Sequence, residues 1–381
     1  MPIQERSRPY QICTKTIMDT TDPGIRFDAW GVSNHYYEYQ KQARQYVLTG
    51  KAGRKALADI VDEIKRHGKG RRYDSILGLS GGVDSTYLCL LARDQGLNPL
   101  VVHFDNGWNS ELAVNNIENT VKRIGFDLFT YVCDWSEFRD LQRAYFKANV
   151  VDIEVLTDHG FMAALYHQAR KHKIKYVLGG MNVVTEAILP RSWHFSKGDL
   201  PNILNIQRKF GTIPIKQLRS YPTLSSFRRQ YLSCFLGMQT VCPLNFVDYQ
   251  YEHVKSQVTE ELGWRDYGGK HYESIFTRFY QGYILPRKFK IDKRRAHLST
   301  LICSGQITRE EALAQIDKPP YAEEALRADY PFVLKKLGFS ESEFQAYFDA
   351  PGIDQRTFSS KTWRQKYPLL IPLRESLRRL S

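Results

Sequence analysis

The sequence predicts an α/β fold, a parallel sheet with helices on both faces followed by a helical C-terminal region. Three observations predict it. Short apolar runs alternate with amphipathic stretches between residues 73 and 180. A glycine-rich turn joins the first of these runs directly to its helix. Beyond about residue 220 the apolar spacing becomes helical.

Taken in order, residues 1–50 read as irregular and aromatic, with a turn at Asp22-Pro23-Gly24. A basic helix is expected over 53–67, closing on the breaker His67-Gly68-Lys69-Gly70. Tyr73 to Leu79 reads as a buried strand and Ser85 to Gln95 as the helix after it. Leu100 to Phe104 is a second strand. Val114, Ile117, Val121 and Ile124 then recur at helical spacing, with Gly125 as the stop. Phe126 to Val132 is a third strand, and Phe138, Leu141 and Tyr145 mark the next helical face. Thr157-Asp158 opens another helix, carried by Phe161, Leu165 and Ala169; Tyr176 to Gly180 is a fourth strand ending in glycines. Later helices are expected over 225–237, 249–262 and 273–285, and from the capping box Thr308-Arg309-Glu310-Glu311. The organisation this implies is an N-terminal segment 1–52, an α/β domain 53–220 and a mostly helical region 221–381.

Of the 381 residues, 42% are hydrophobic and 25% charged, as in ordinary globular proteins. The 54 basic against 41 acidic residues give a net charge of +13. Such an excess suits an anionic partner (nucleic acid, a nucleotide sugar or a charged membrane face) or is spread over a solvated surface. The six cysteines are too scattered for a disulfide framework. Met1 to Arg6 lack the apolar stretch of a signal peptide, and no run approaches membrane-spanning length. A cytoplasmic protein with reduced thiols and no membrane contact is expected.

The chemistry concentrates at Ser80-Gly81-Gly82-Val83-Asp84-Ser85. A strand running through such a turn into a helix brings bare backbone up to an anion and points free amides at it. Ser80 and Ser85 add hydroxyl donors. Asp84 would repel a phosphate unless it holds Mg²⁺ that bridges to the phosphates. No lysine follows the loop, so γ-phosphate chemistry is not implied.

This loop resembles that of the PP-loop ATPases, the adenine nucleotide α-hydrolase-like proteins, which split ATP between its α and β phosphates. The resemblance assigns ATP to Ser80, Gly81, Gly82, Asp84, Ser85, His103, Asp105 and Gly179. Gly179-Gly-Met-Asn-Val-Val-Thr-Glu186 looks like a stretch of NAD synthetases whose glutamate helps bind metal, which makes Asp84 and Glu186 the expected Mg²⁺ ligands. Further motifs run from Met18 to Asp28, Trp30 to Asn34, Glu186 to Trp193, Tyr267 to Gln281, Arg294 to Ser299 and Ser304 to Glu311. Together they resemble the N-acetyl sugar amidotransferase family of lipopolysaccharide O-antigen biosynthesis, the WbpG-like proteins. That family's implied reaction adenylates an acetamido oxygen on a UDP-linked sugar and replaces it with ammonia, giving an acetamidino sugar.

Lys270 and His271 join Asp84 as catalytic candidates; with Arg278 and Gln281 they fall on or beside a helix N-terminal region, where an anionic UDP or uronate would be welcome. Asn182, Trp193, Lys270, His271, Glu273, Ser274, Arg278 and Gln281 become the substrate candidates. Phe276, Phe279 and Tyr280 fit a core face instead. The chain shows no glutaminase nucleophile, so ammonia is expected from a partner, similar to the glutaminase and cyclase subunits of histidine biosynthesis. One departure stands out. Where the family carries two Cys-x-x-Cys pairs, this chain has Cys13, Thr16, Ser33 and Tyr36, a degenerate zinc-ribbon-like segment, and no zinc is expected. The rival readings are a tRNA-modifying PP-loop enzyme, for which no RNA-binding module is recognisable, and a degenerate scaffold, against which the intact loop argues.

Overall fold

The computed structural model describes residues 8–270 and 272–359 of the chain. Two helices come first, α1 over Asn34–Tyr46 and α2 over Gly50–Gly68. Helix α1 corrects the expectation that the first fifty residues are irregular. It buries only His35 and Tyr39, so no apolar stripe announces it in the sequence. Before it, bridges Ile12–Asp19 and Phe27–Ser33 fold residues 8–33 into close turns. Three of the four positions compared with zinc ligands meet there. The Ser33 N–H donates to Cys13 Sγ at 3.2 Å, and Cys13, Thr16 and Ser33 are all buried. Burial pushes the Cys13 thiol up, but hydrogen bonds from Ser33 and Thr16 outweigh it and hold the thiol below its usual value. The fourth position, Tyr36, lies in the first turn of α1.

Five parallel strands form one sheet: β1 Ser75–Gly78, β2 Pro99–Asp105, β3 Leu128–Val132, β4 Tyr176–Leu178 and β5 Gln239–Val241. Their order is β3-β2-β1-β4-β5. The chain builds outward from β1 to β3, then returns to add β4 on the other side of β1. That reversal leaves a crevice at the carboxyl ends of β1 and β4, where ligands bind in sheets of this kind. The four strands read from the sequence are all present. Strand β5 adds itself beside β4 from the stretch read as helical, and with three residues it is too short to show a period.

The helices between the strands are α3 Val83–Asp94, α4 Glu111–Ile124, α5 Trp135–Ala148 and α6 Val155–Lys171. Alternation along β1 sends its side chains to two cores. Leu77 and the following Leu79 pack with Leu57, Val61, Leu88 and Leu91, whereas Ile76 packs with Val102, Ala163 and Leu165. Two short helices follow β4, α7 Val183–Glu186 and α8 Leu200–Phe210. The expected helix over 225–237 is α9, Ser226–Cys234, and that over 249–262 is α10, Tyr251–Leu262.

The stretch read as a helix over 273–285 is α11, Ile275–Phe279, then one wide π turn over Tyr280–Ile284, then α12, Leu285–Phe289. Pro286, in the first turn of α12, has no N–H to continue an α-helical ladder, and the wider turn absorbs the gap. Four α-helices follow, α13 Arg294–Cys303, α14 Arg309–Ile316 with its Thr308–Glu311 capping box, α15 Glu323–Leu337 and α16 Glu341–Asp349, and then a 3-10 turn over Gln355–Phe358. Phe146 of α5 meets Phe276, Phe344 and Tyr347, so an aromatic core locks these helices onto the sheet domain. Among the described residues no helix is long and apolar enough to cross a membrane.

Candidate active site

The turn after β1 lies at the crevice. Gly81 takes φ +89°, a conformation that side chains rarely adopt, and a Cβ there would meet the Tyr267 hydroxyl at 3.0 Å. The two serines brace the turn from within. Ser80 Oγ accepts from the Gly82 N–H at 3.2 Å, and the Ser85 hydroxyl donates to the Gly82 carbonyl at 3.0 Å. Helix α3 begins at Val83, so the turn runs straight into a helix N-terminus, whose first N–H groups have no acceptor within the helix.

The loop is also held from outside, by residues far along the chain. The Trp264 indole N–H and the Tyr267 hydroxyl both donate to the Gly81 carbonyl, at 2.8 and 2.9 Å. The Tyr249 hydroxyl donates to Asp84 Oδ1. Burial and the Asp84 carboxylate push that phenol far above its usual range, so it stays a donor. Tyr267 opens the Tyr267–Gln281 motif, whereas Tyr249 and Trp264 carry no signal of this role in the sequence.

Asp84 gathers the remaining polar groups. Asn182 caps α7 through its Oδ1, which accepts from the Thr185 N–H at 2.9 Å, and donates from Nδ2 to Asp84 at 3.3 Å. Lys270 Nζ lies 3.0 Å from Glu186 and 3.7 Å from Asp84, joining the two predicted metal ligands through one ammonium. Burial alone would lower the Lys270 pKa; Glu186 and Asp84 outweigh it and hold the ammonium above its usual value. The segment before α11 reaches the loop by pairing with the turn after β2. The Ser110 N–H donates to the Glu273 carbonyl at 3.0 Å and the Ile275 N–H to that of Trp108 at 2.9 Å. A side chain on Gly82 would sit 3.4 Å from Glu273 Oε1.

His103 is held as a neutral ring. Burial pushes its pKa down, its Nδ1 bonds the Leu79 carbonyl at 2.9 Å and its Nε2 bonds the Asn109 amide at 3.0 Å. That network assigns the proton to Nδ1.

These groups line a cleft of about 410 Å³, within the range of small-molecule sites. Ser80, Gly82, Asp84, Ser85, His103, Glu186, Lys270, Glu273, Ser274 and Gln281 are in its wall. So are Glu154, Thr157, Asp158, Lys197 and Lys293, which the sequence reading passed over. A second hollow, of about 470 Å³, lies along α1 between Tyr36 and Gln45 and has no carboxylate in its wall.

Six other candidates lie behind the cleft or away from it. Gly81 and Asn182 act through their bonds to its walls. Asp105 turns back on its own loop, accepting from the Gly107 N–H at 2.8 Å. The Gly179 N–H donates to the Val241 carbonyl of β5 at 2.7 Å. Trp193 is buried in the aromatic core, and Arg278 is tied to Asp329 at 2.6 Å. His271 lies outside the described residues.

Residues 273–369 match the family model described as "LPS biosynthesis protein WbpG-like, C-terminal domain". No curated protein matches the chain. Among solved structures, NH3-dependent NAD synthetase from Campylobacter jejuni subsp. jejuni is 15% identical and aligns over 71% of this chain and 99% of its own, with a TM-score of 0.30. NMN synthetase from Francisella tularensis is 12% identical over 61% and 93%, with a TM-score of 0.27. NAD+ synthetase from Burkholderia pseudomallei is 13% identical over 61% and 93%, with a TM-score of 0.29. Scores this low leave the fold to rest on the sheet itself. The stretch from Glu273 onward, which brings Glu273, Ser274 and Gln281 to the cleft, is thus similar to the C-terminal domain of WbpG-like proteins, the family that the sequence motifs resemble.

Proposed function

We propose that this chain is an ATP-dependent amidotransferase that adenylates the acetamido oxygen of a UDP-linked sugar and replaces it with ammonia. One observation carries the reading: a two-serine, two-glycine anion turn at the crevice with Asp84 joined through Lys270 to Glu186. An amide is a poor electrophile, and transferring AMP to its oxygen turns that oxygen into a leaving group. The turn's amides and hydroxyls hold the phosphates of ATP. Lys270 offsets charge that develops as pyrophosphate departs. Glu273, Ser274 and Gln281 orient the sugar.

Asp84 and Glu186 fit Mg²⁺, because they already hold one cation, the Lys270 ammonium, between them. Among the described residues no group of three metal-ligating side chains gathers, so these two carboxylates are what the protein would offer the ion. Mg²⁺ held by Asp84 and Glu186 would offset the negative charge of the phosphates. The ammonia is delivered by a partner glutaminase with a cyclase-like channelling subunit.

The test is to incubate the protein with ATP, ammonium and a panel of UDP-N-acetyl sugars, and to look by mass spectrometry for exchange of O for NH. Product from one sugar supports the reading. No product with any sugar, together with pyrophosphate exchange stimulated by tRNA, would replace it with RNA modification.

A further inference from the structure

Glu154 lines the same cleft as the phosphate turn, and nothing in the reaction above uses it. It precedes α6 and is 8% exposed. Its Oε2 accepts from the Thr277 hydroxyl at 2.7 Å, while Oε1 is buried with no hydrogen-bond partner among the described residues. The charged groups facing it are Asp158 of α6, Lys197 and Lys293. Lys197 is already committed, 2.7 Å from Asp152 and 3.0 Å from Asp158. The neighbouring Tyr280 hydroxyl is committed too, to the Val151 carbonyl.

A buried carboxylate oxygen left without a donor is costly, and the cost falls when a cation with N–H groups arrives. Burial, then Asp158, push Glu154 up to about 7, against the opposing pull of the Thr277 hydrogen bond and the two lysines. A group of that strength exchanges protons readily at neutral pH, as an ordinary carboxylate does not.

We propose that Glu154 is the proton acceptor for the nitrogen donor, its unbonded Oε1 binding ammonium in the cleft and taking one proton from it. The assignment rests on the amidotransferase reading. In the step, an N–H bond of ammonium breaks and its proton goes to Oε1, leaving neutral ammonia. The ammonia lone pair forms the C–N bond to the adenylated carbon. The C–O bond to AMP breaks and AMP leaves with that electron pair. Glu154 returns its proton to water as the amidinium product departs.

The test uses the whole chain with ammonium chloride as the probe. Infrared difference spectra of protein labelled with carbon-13 glutamate should show one buried carboxylic acid that titrates near neutral pH and is missing in Glu154→Gln. Its midpoint should move to lower pH when ammonium is added. Absence of such a band, or one indifferent to ammonium, overturns the proposal. In turnover at neutral pH, Glu154→Gln should raise the half-saturating ammonium concentration about 100-fold. Hydroxylamine, which is unprotonated at that pH, should restore the rate. Equal losses with both donors mark a packing role and also overturn it. A wild-type protein that passes the infrared test yet makes no product from any UDP-N-acetyl sugar refutes the sugar reading alone.

Discussion

The turn from Ser80 to Ser85 and the segment that clamps it are built in opposite ways. The turn is six consecutive residues whose glycines, hydroxyls and following helix make an anion cradle locally, wherever a strand delivers them. The clamp, Tyr249 to Gln281, has no such local logic. Its Trp264 and Tyr267 matter because they reach back to the Gly81 carbonyl, and Lys270 because it stands between Asp84 and Glu186. Chemistry written in backbone conformation is local, whereas chemistry written in side-chain reach depends on the whole fold.

Removing a member of the cradle should therefore cost most. Asp84→Ala is expected to lower ATP-dependent turnover about 10³-fold while the circular dichroism spectrum and melting profile stay near wild type. An unfolded variant, or one at full rate, would break the contrast by showing Asp84 to be a packing residue or a bystander. Loosening the clamp should cost less. Trp264→Phe leaves the Gly81 carbonyl one donor short, which is worth about 1–3 kcal/mol. The KM for ATP should rise about tenfold with a smaller change in kcat. An unchanged KM would mean that the turn holds its shape unaided.

The smallest effect is expected away from both. Asp22 accepts from Ser192 at 2.6 Å and pairs with His35 at 2.7 Å, tying the N-terminal turns to the segment after α7. Burial pushes its carboxyl up, but His35, Ser192 and the Gly24 N–H outweigh it and hold the pKa below the usual 3.8. A depressed carboxyl adds stability that is present above 3.8 and is lost as the pH falls through the folded value. Asp22→Asn should thus lower stability to urea by about 1–2 kcal/mol at neutral pH, with the difference shrinking in acid. A difference that grows in acid would contradict the sign.

The same contrast explains what was legible in the sequence. Strands β1 to β4 stand out because apolar runs bounded by glycine and polar turns are local signals, and the Ser80 turn stands out with them. Helix α1 buries only His35 and Tyr39 and has no stripe to read. Strand β5 is three residues long and takes its place from pairing with β4. Lys270, Glu273 and Gln281 were placed in the site through family resemblance, whereas Tyr249, Trp264 and Glu154 were passed over. A buried aromatic that donates one hydrogen bond to the site has the same sequence signature as any core aromatic. Trp193 and Arg278 show the converse, since residues from a motif can also pack in the core or make an ion pair, here with Asp329.

The central claim is where ATP is cut, and phosphorus NMR of the products tests it most directly. With a UDP-N-acetyl sugar and ammonium supplied, the expected products are AMP and pyrophosphate in equal amounts. ADP and inorganic phosphate would place the cut between the β and γ phosphates and contradict the account.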